Sequence, residues 1–332
     1  MHYPCPPRRA AVWLMAACLT VSPVSPADTL VSVQSENDAY VGAGDGHYTN
    51  GFKLSWAVET DADHWGAAAV RTLPGWGATE VVGMSYRIGH RIYTPTRITL
   101  ATPQPNDRPY AGVLYAGASI HGVNRHDGWH ETHSLRLDTG MVGPSSQAEW
   151  IQETFHARIA GDDDPQGWDH QLADEPFLNL GYEHAWVIRR PMGDLQFEYG
   201  PTAGVALGNL YAYGSGGFAM RFGEGLDRSF GIPSIAPGQG QRAFFRRGAG
   251  LGWYLFAAAE GRYMAHNLLL DGHAGKNGPS VDRRPWVADA QVGFAVNWDR
   301  WQLAYTVAVR SKEFETQDAM DSFGSLSLSM WI

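Results

Sequence analysis

Gln152 and His156 stand four residues apart in WIQETFHARIAG, one helical turn, so on a helix they share a face. Histidine ionises near neutrality and suits a general base, and an amide beside it can orient the water it activates. A histidine exposed on a surface helix accounts for the same spacing without chemistry. Asp162, Asp163 and Asp164 follow in a turn. Carboxylates grouped in this way suit a hard cation such as calcium, although the spacing is not that of an EF-hand; a solvated acidic loop has the same composition. Asn37 and Asp38 close the first strand-like segment and Thr49 opens the second. If those strands pair, a carboxylate, an amide and a hydroxyl meet at one end of a sheet. Ordinary turn chemistry also favours Asn and Asp there. His121, His126, His130 and His133 read as a polar loop, with metal binding the lesser alternative.

Several chemistries lack their motifs. There is no Gly-x-Ser-x-Gly elbow, no His-Glu-x-x-His and no phosphate loop. Both cysteines, Cys5 and Cys18, precede residue 27, so the remainder of the chain has no thiol and no disulfide.

The elements that must hold these residues are mostly strands. The exception is 143–176, the only long segment that reads as a helix. Ile151, Phe155 and Ile159 form an apolar stripe apart from Gln152 and His156, and Ser145 or Ser146 can cap the start with Glu149 as capping-box partner. Elsewhere polarity alternates with period two. Strand-like segments begin at Thr29 and cover 52–59, 81–93, 111–120, 132–142, 178–188, 195–199 and 211–222. Segments 250–260 and 262–270 read as a hairpin, and 290–298, 302–310 and the terminal SLSLSMWI follow. Residues 62–77 and 94–109 read as loops, the second holding four prolines. The count is about twelve strands.

The N-terminus has the form of an export signal over 1–27: Arg8 and Arg9, an apolar run from Ala10 to Val21, and small residues at Ser25-Pro26-Ala27. Its apolar run is too short for a membrane helix. Without the two leader arginines the chain carries 23 basic and 34 acidic residues, which argues against nucleic acid as a partner. High glycine and aromatic content, export and alternation to the last residue fit a transmembrane antiparallel β-barrel over 28–332, apolar outside and polar within. A soluble lipocalin-like barrel also alternates, but with the apolar face turned inward.

Six motifs, SENDAY at 35–40, HYTNG at 47–51, NDRPYAG at 106–112, GPSSQAEWIQETFHARIAG at 143–161, GWDHQL at 167–172 and GNLYAYGSGG at 208–217, make the chain resemble the outer-membrane lipid A 3'-O-deacylases. The resemblance implies an all-β, twelve-stranded barrel with one extracellular-loop helix at an active site between helix and wall. It implies calcium (Ca2+) and a catalytic histidine. Carried over by motif, His156, Gln152 and Asn37 are the catalytic set, and Asp38, Thr49 and a loop acid hold the metal. Counting from Gly161 and Trp168 assigns that acid to Asp163; counting from His156 gives Asp162. Arg97 and Arg108 are candidates for the lipid A phosphates, arginine being suited to bidentate contacts; Arg108 has a structural role as its alternative.

The expected partners are lipid A or lipopolysaccharide as substrate, outer-membrane lipid, and the barrel-assembly machinery during biogenesis, with the active site toward the outer leaflet. The expected reaction is calcium-dependent hydrolysis of a 3'-O-linked acyl ester. The alternatives are another outer-membrane esterase or phospholipase, a porin-like barrel without catalysis, and a soluble binding barrel.

Overall fold

Period-two alternation builds twelve strands. The computed structural model describes residues 29–42, 47–60, 65–73, 76–155, 165–229, 231, 245–273 and 278–332. The expected leader, His156, Asp162 and Asp163 lie outside them. In chain order the strands are β1 (Thr29–Asn37), β2 (His47–Glu59), β3 (Glu80–Thr94), β4 (Ala111–His126), β5 (Trp129–Val142), β6 (Glu175–Met192), β7 (Leu195–Gly208), β8 (Tyr211–Glu224), β9 (Gly248–Asn267), β10 (Trp286–Asp299), β11 (Trp301–Arg310) and β12 (Asp321–Trp331). Each pairs antiparallel with its chain neighbours, and β1 pairs with β12, closing the barrel. Closure removes the sheet edges that lipid cannot hydrogen-bond.

The two faces have opposite chemistry. Val33, Leu54, Ile88, Leu114, Leu137 and Leu180 are exposed on the outer wall. Inside, Arg87 and Arg136 both pair with Asp138, and a second group joins Arg262, Asp289, Arg310 and Glu313. An apolar exterior over an ionic interior is the reverse of a soluble barrel and fits a membrane-spanning one. Among the described residues no helix is long and apolar enough to cross a membrane.

Both termini of the barrel lie at one end, together with the tight turns at 127–128, 193–194 and Arg300. The opposite end carries the connections 95–110, 143–174 and 268–285. Short turns face the periplasm and long loops face outward in such barrels, which orients the molecule.

Three sequence readings are corrected. β9 is one strand of twenty residues, not a hairpin. Gly261 lies between Gly216 and Ala288 in the ladders and makes no turn. The four histidines lie on β4 and β5, joined by the turn at 127–128, not in a loop. Within 143–176 the described part of the helix is α2 (Ala148–Phe155), and the expected capping box is absent: Ser145 Oγ donates to Asp174 and Ser146 Oγ has no hydrogen bond. Two further short helices escaped the sequence reading, α1 (Trp65–Arg71) and α3 (Leu268–Asp271).

Candidate active site

The site begins where β1 ends. Alternation along β1 turns Val33 and Ser35 outward and buries Ser32 and Gln34 inside, so Asn37 is on the outer face. Register pairs Asn37 with Asn50, Asn50 with Ile92 and Ile92 with Gly112. Directly opposed residues share a face, so these four form one row across the outer wall at the loop end.

Ile92 should meet lipid at this position, yet it is 1 % exposed, because Tyr110, Ala148 and Trp168 cover it. Helix α2 therefore lies on the outside of the barrel, over β3 and β4. Glycine at 112 permits this approach: a Cβ there would collide with Ser146 Oγ and Ala148 Cβ. His90, on the same outer face, donates from Nε2 to the Ser146 carbonyl at 3.1 Å and fixes the chain entering α2.

A bulge aims Thr49. Tyr48 pairs with Tyr93 and Asn50 with Ile92, leaving Thr49 as the extra residue. Its hydroxyl lies 2.7 Å from that of Thr94, which alternation from Ile92 puts on the outer side. The rung that joins Asn37 to Asn50 sets Asp38 beside Thr49 one step further. Asn37 Oδ1 and Asp38 Oδ1 each accept from the Ala39 amide at 2.8 Å, which holds both side chains at the start of a short helical turn. Asp38 and Thr49 are both buried.

Gln152 is buried on α2. Its Oε1 accepts from Trp168 Nε1 at 2.9 Å, and its Nε2 has no hydrogen-bond partner among the described residues. Trp168 packs on Tyr110, with ring centroids 4.8 Å apart. The strand-end and helix motifs are thereby joined through the 95–110 loop. Asp107 of that loop accepts from His47 Nε2 at 3.2 Å, next to the Thr49 bulge. Burial raises the Asp107 pKa, but hydrogen bonds from His47 and the Thr96 amide outweigh it and hold the group at about 2.

The two arginines separate. Arg97 is exposed on the loop. Arg108 is 1 % exposed, pairs with Glu313 at 3.3 Å and stacks over Tyr93 at 4.4 Å. It braces the barrel mouth, the structural role that was the alternative for this residue. His90, Thr94, Asp107 and Trp168 were missed as positioning groups. Trp168 and Asp107 lay inside quoted motifs, whereas His90 and Thr94 are isolated residues whose roles arise only from strand register.

A closed barrel with an apolar exterior, a loop helix packed on its outer wall and polar groups beside it at the loop end is an outer-membrane β-barrel protein. The family model described as "Outer membrane protein LpxR" matches residues 13–332, and the chain belongs to that family. The solved structure of LpxR from Salmonella typhimurium superposes with a TM-score of 0.74 at 18 % identity, covering 91 % of this chain and all of that one. The β domain of the Bordetella autotransporter BrkA aligns at TM-score 0.48 and 10 % identity, over 92 % of this chain and 99 % of that one. No curated protein sequence matches the chain.

Proposed function

We propose that this protein is a lipid A deacylase that hydrolyses the 3'-O-linked acyl ester from within the outer leaflet. The observation that carries the reading is the side of the wall on which the polar groups lie. Asn37, Thr49 and the α2 helix with Gln152 belong to the outer surface at the loop end, where a lipid can enter sideways. The LpxR family membership supports it. A porin reading accounts for none of these groups and meets an interior crossed by ion pairs from Arg87 to Asp138 and from Arg310 to Asp289.

The donor set fits calcium. Asp38 offers a carboxylate, Asn37 an amide oxygen and Thr49 a hydroxyl, all hard oxygen ligands. When Thr49 donates its proton to Thr94, its own lone pairs stay available to a cation. Asp163 completes the set in the motif assignment. Bound there, the ion supplies Lewis-acid stabilisation of the negative charge that develops on the acyl oxygen.

The chain's own groups do the rest. His156 takes a proton from water, which attacks the acyl carbonyl, and returns it to the departing sugar oxygen. Gln152, with its Oε1 held by Trp168, directs its free amide hydrogens at the water or the substrate. No acyl-enzyme is needed, in keeping with the absence of a serine elbow. Arg97 meets a lipid A phosphate. The purified protein in detergent should release fatty acid from lipid A with calcium present and stop when calcium is chelated. Release that persists after complete chelation refutes the calcium assignment.

A further inference from the structure

A second polar cluster lies on the outer wall at the opposite, periplasmic end. His133 on β5 pairs with His184 on β6. Leu137 and Leu180, two rungs away, are exposed on the outside, so both histidines share that outer face, and Glu131 follows by alternation. This patch of wall is covered by the connection between β2 and β3. Helix α1 packs through Ala67 and Val70 near Ile120 and Leu135. Gly77 lies so close to His133 that a Cβ would be 3.1 Å from its Cε1. Asn124 fastens the connection, donating to the Gly77 carbonyl at 2.8 Å and accepting from the Thr79 amide at 2.7 Å.

We propose that Glu131, His133 and His184 form a zinc-class metal site on the barrel wall beneath this periplasmic strap. The nitrogens and carboxylate oxygen of the three residues lie within 4.8 Å of one another. Glu131 Oε2 is 3.5 Å from His133 Nε2 and 3.9 Å from His184 Nε2. Tetrahedral zinc with bonds of about 2.1 Å sets its ligands roughly 3.4 Å apart, so a small closing movement suffices.

The surroundings prepare the imidazoles as ligands. His133 Nδ1 lies 2.7 Å from the Tyr182 hydroxyl; in the tautomer in which Nδ1 donates to it, the Nε2 lone pair faces the carboxylate. The Asn124 amide donates to Glu131 Oε2 at 2.8 Å and steadies the carboxylate beside the two imidazoles. His184 stacks on His133 with centroids 4.1 Å apart, and its buried Nε2 has no hydrogen-bond partner among the described residues. Buried polar atoms are ordinarily satisfied, and an orphan nitrogen aimed at a carboxylate and a second imidazole is accounted for by a shared cation. Two imidazoles and one carboxylate suit zinc, whereas calcium prefers an all-oxygen shell.

The test is zinc titration of the full-length folded protein in detergent, with calcium in excess to occupy oxygen sites. Wild type should bind one zinc tightly, and cobalt at the same site should give a tetrahedral absorption band. Glu131→Gln and His184→Gln should each retain heat-modifiable gel migration, lose the cobalt band, and weaken zinc by more than the about 100-fold that loss of an outer-shell partner costs. His156→Ala should bind as wild type does, which separates this site from the proposed catalytic one. Wild type without a tight zinc site, or folded variants that keep wild-type affinity, would reduce the cluster to an ion pair and overturn the proposal.

Discussion

Trp168 donates its indole N–H to Gln152 Oε1 at 2.9 Å, and each side chain is only 2 % exposed. This single bond couples the segment that follows the acidic run to the helix that lies on the wall. Trp168→Phe retains the ring against Tyr110 but leaves the Gln152 carbonyl oxygen unsatisfied, at about 1–3 kcal/mol. Deacylation should fall roughly 10- to 100-fold, taking about 1.4 kcal/mol per decade, with barrel migration on gels unchanged. Full activity in the folded variant would detach Gln152 from the reaction.

Gly112 marks the contact between wall and helix. Gly112→Val drives a side chain into Ser146 and Ala148 and lifts α2 from β3 and β4. The variant should insert as a heat-modifiable barrel and lose nearly all turnover. Activity near wild type would mean that the α2 position is immaterial.

The two arginines should behave differently. Arg97→Ala is expected to raise KM for phosphorylated lipid A several-fold and leave KM for a dephosphorylated analogue unaltered. Arg108→Ala removes one of the two arginines paired with Glu313 and leaves Arg310 at 3.8 Å, so it costs stability but less than the about 3–5 kcal/mol of breaking an isolated buried pair. Loss of thermal stability should therefore accompany any loss of rate. Equal kinetic effects of both substitutions on both substrates would contradict this division.

Acid should loosen the loop end through Asp107. Its pKa is held at about 2, below the unfolded value of about 3.9. The carboxylate thus contributes stability above about pH 4, and that contribution is lost as pH falls through about 2. Pepsin cleavage within 95–110, normalised to an unfolded substrate, should rise across that window in wild type. Asp107→Asn should be cut to the same extent throughout. A flat wild-type profile would show that the Asp107–His47 contact does not hold the loop.

Much of this was legible in the sequence because a barrel wall repeats one rule. Alternation in 290–298, 302–310 and the last eight residues marked strands that the structure contains within β10, β11 and β12. The rule failed where a glycine looked like a turn, as at Gly261, and where a polar stretch continued the strands, as at His126 and His130. Asn37, Asp38 and Thr49 were expected together, and register joins them. That Thr49 opens outward depends on a bulge, which no local pattern announced. Ile92 shows the same limit: an isoleucine on an outward rung reads as lipid-facing, and only a tertiary contact reveals that it floors a helix.

The central claim is tested most directly by mass spectrometry of lipid A from cells that express the protein. Wild type with calcium should remove the 3'-O-linked acyloxyacyl group. His156→Ala, at equal barrel content in the outer membrane, should leave lipid A intact. Unaltered lipid A from well-inserted wild type, or deacylation that survives His156→Ala, would contradict the account.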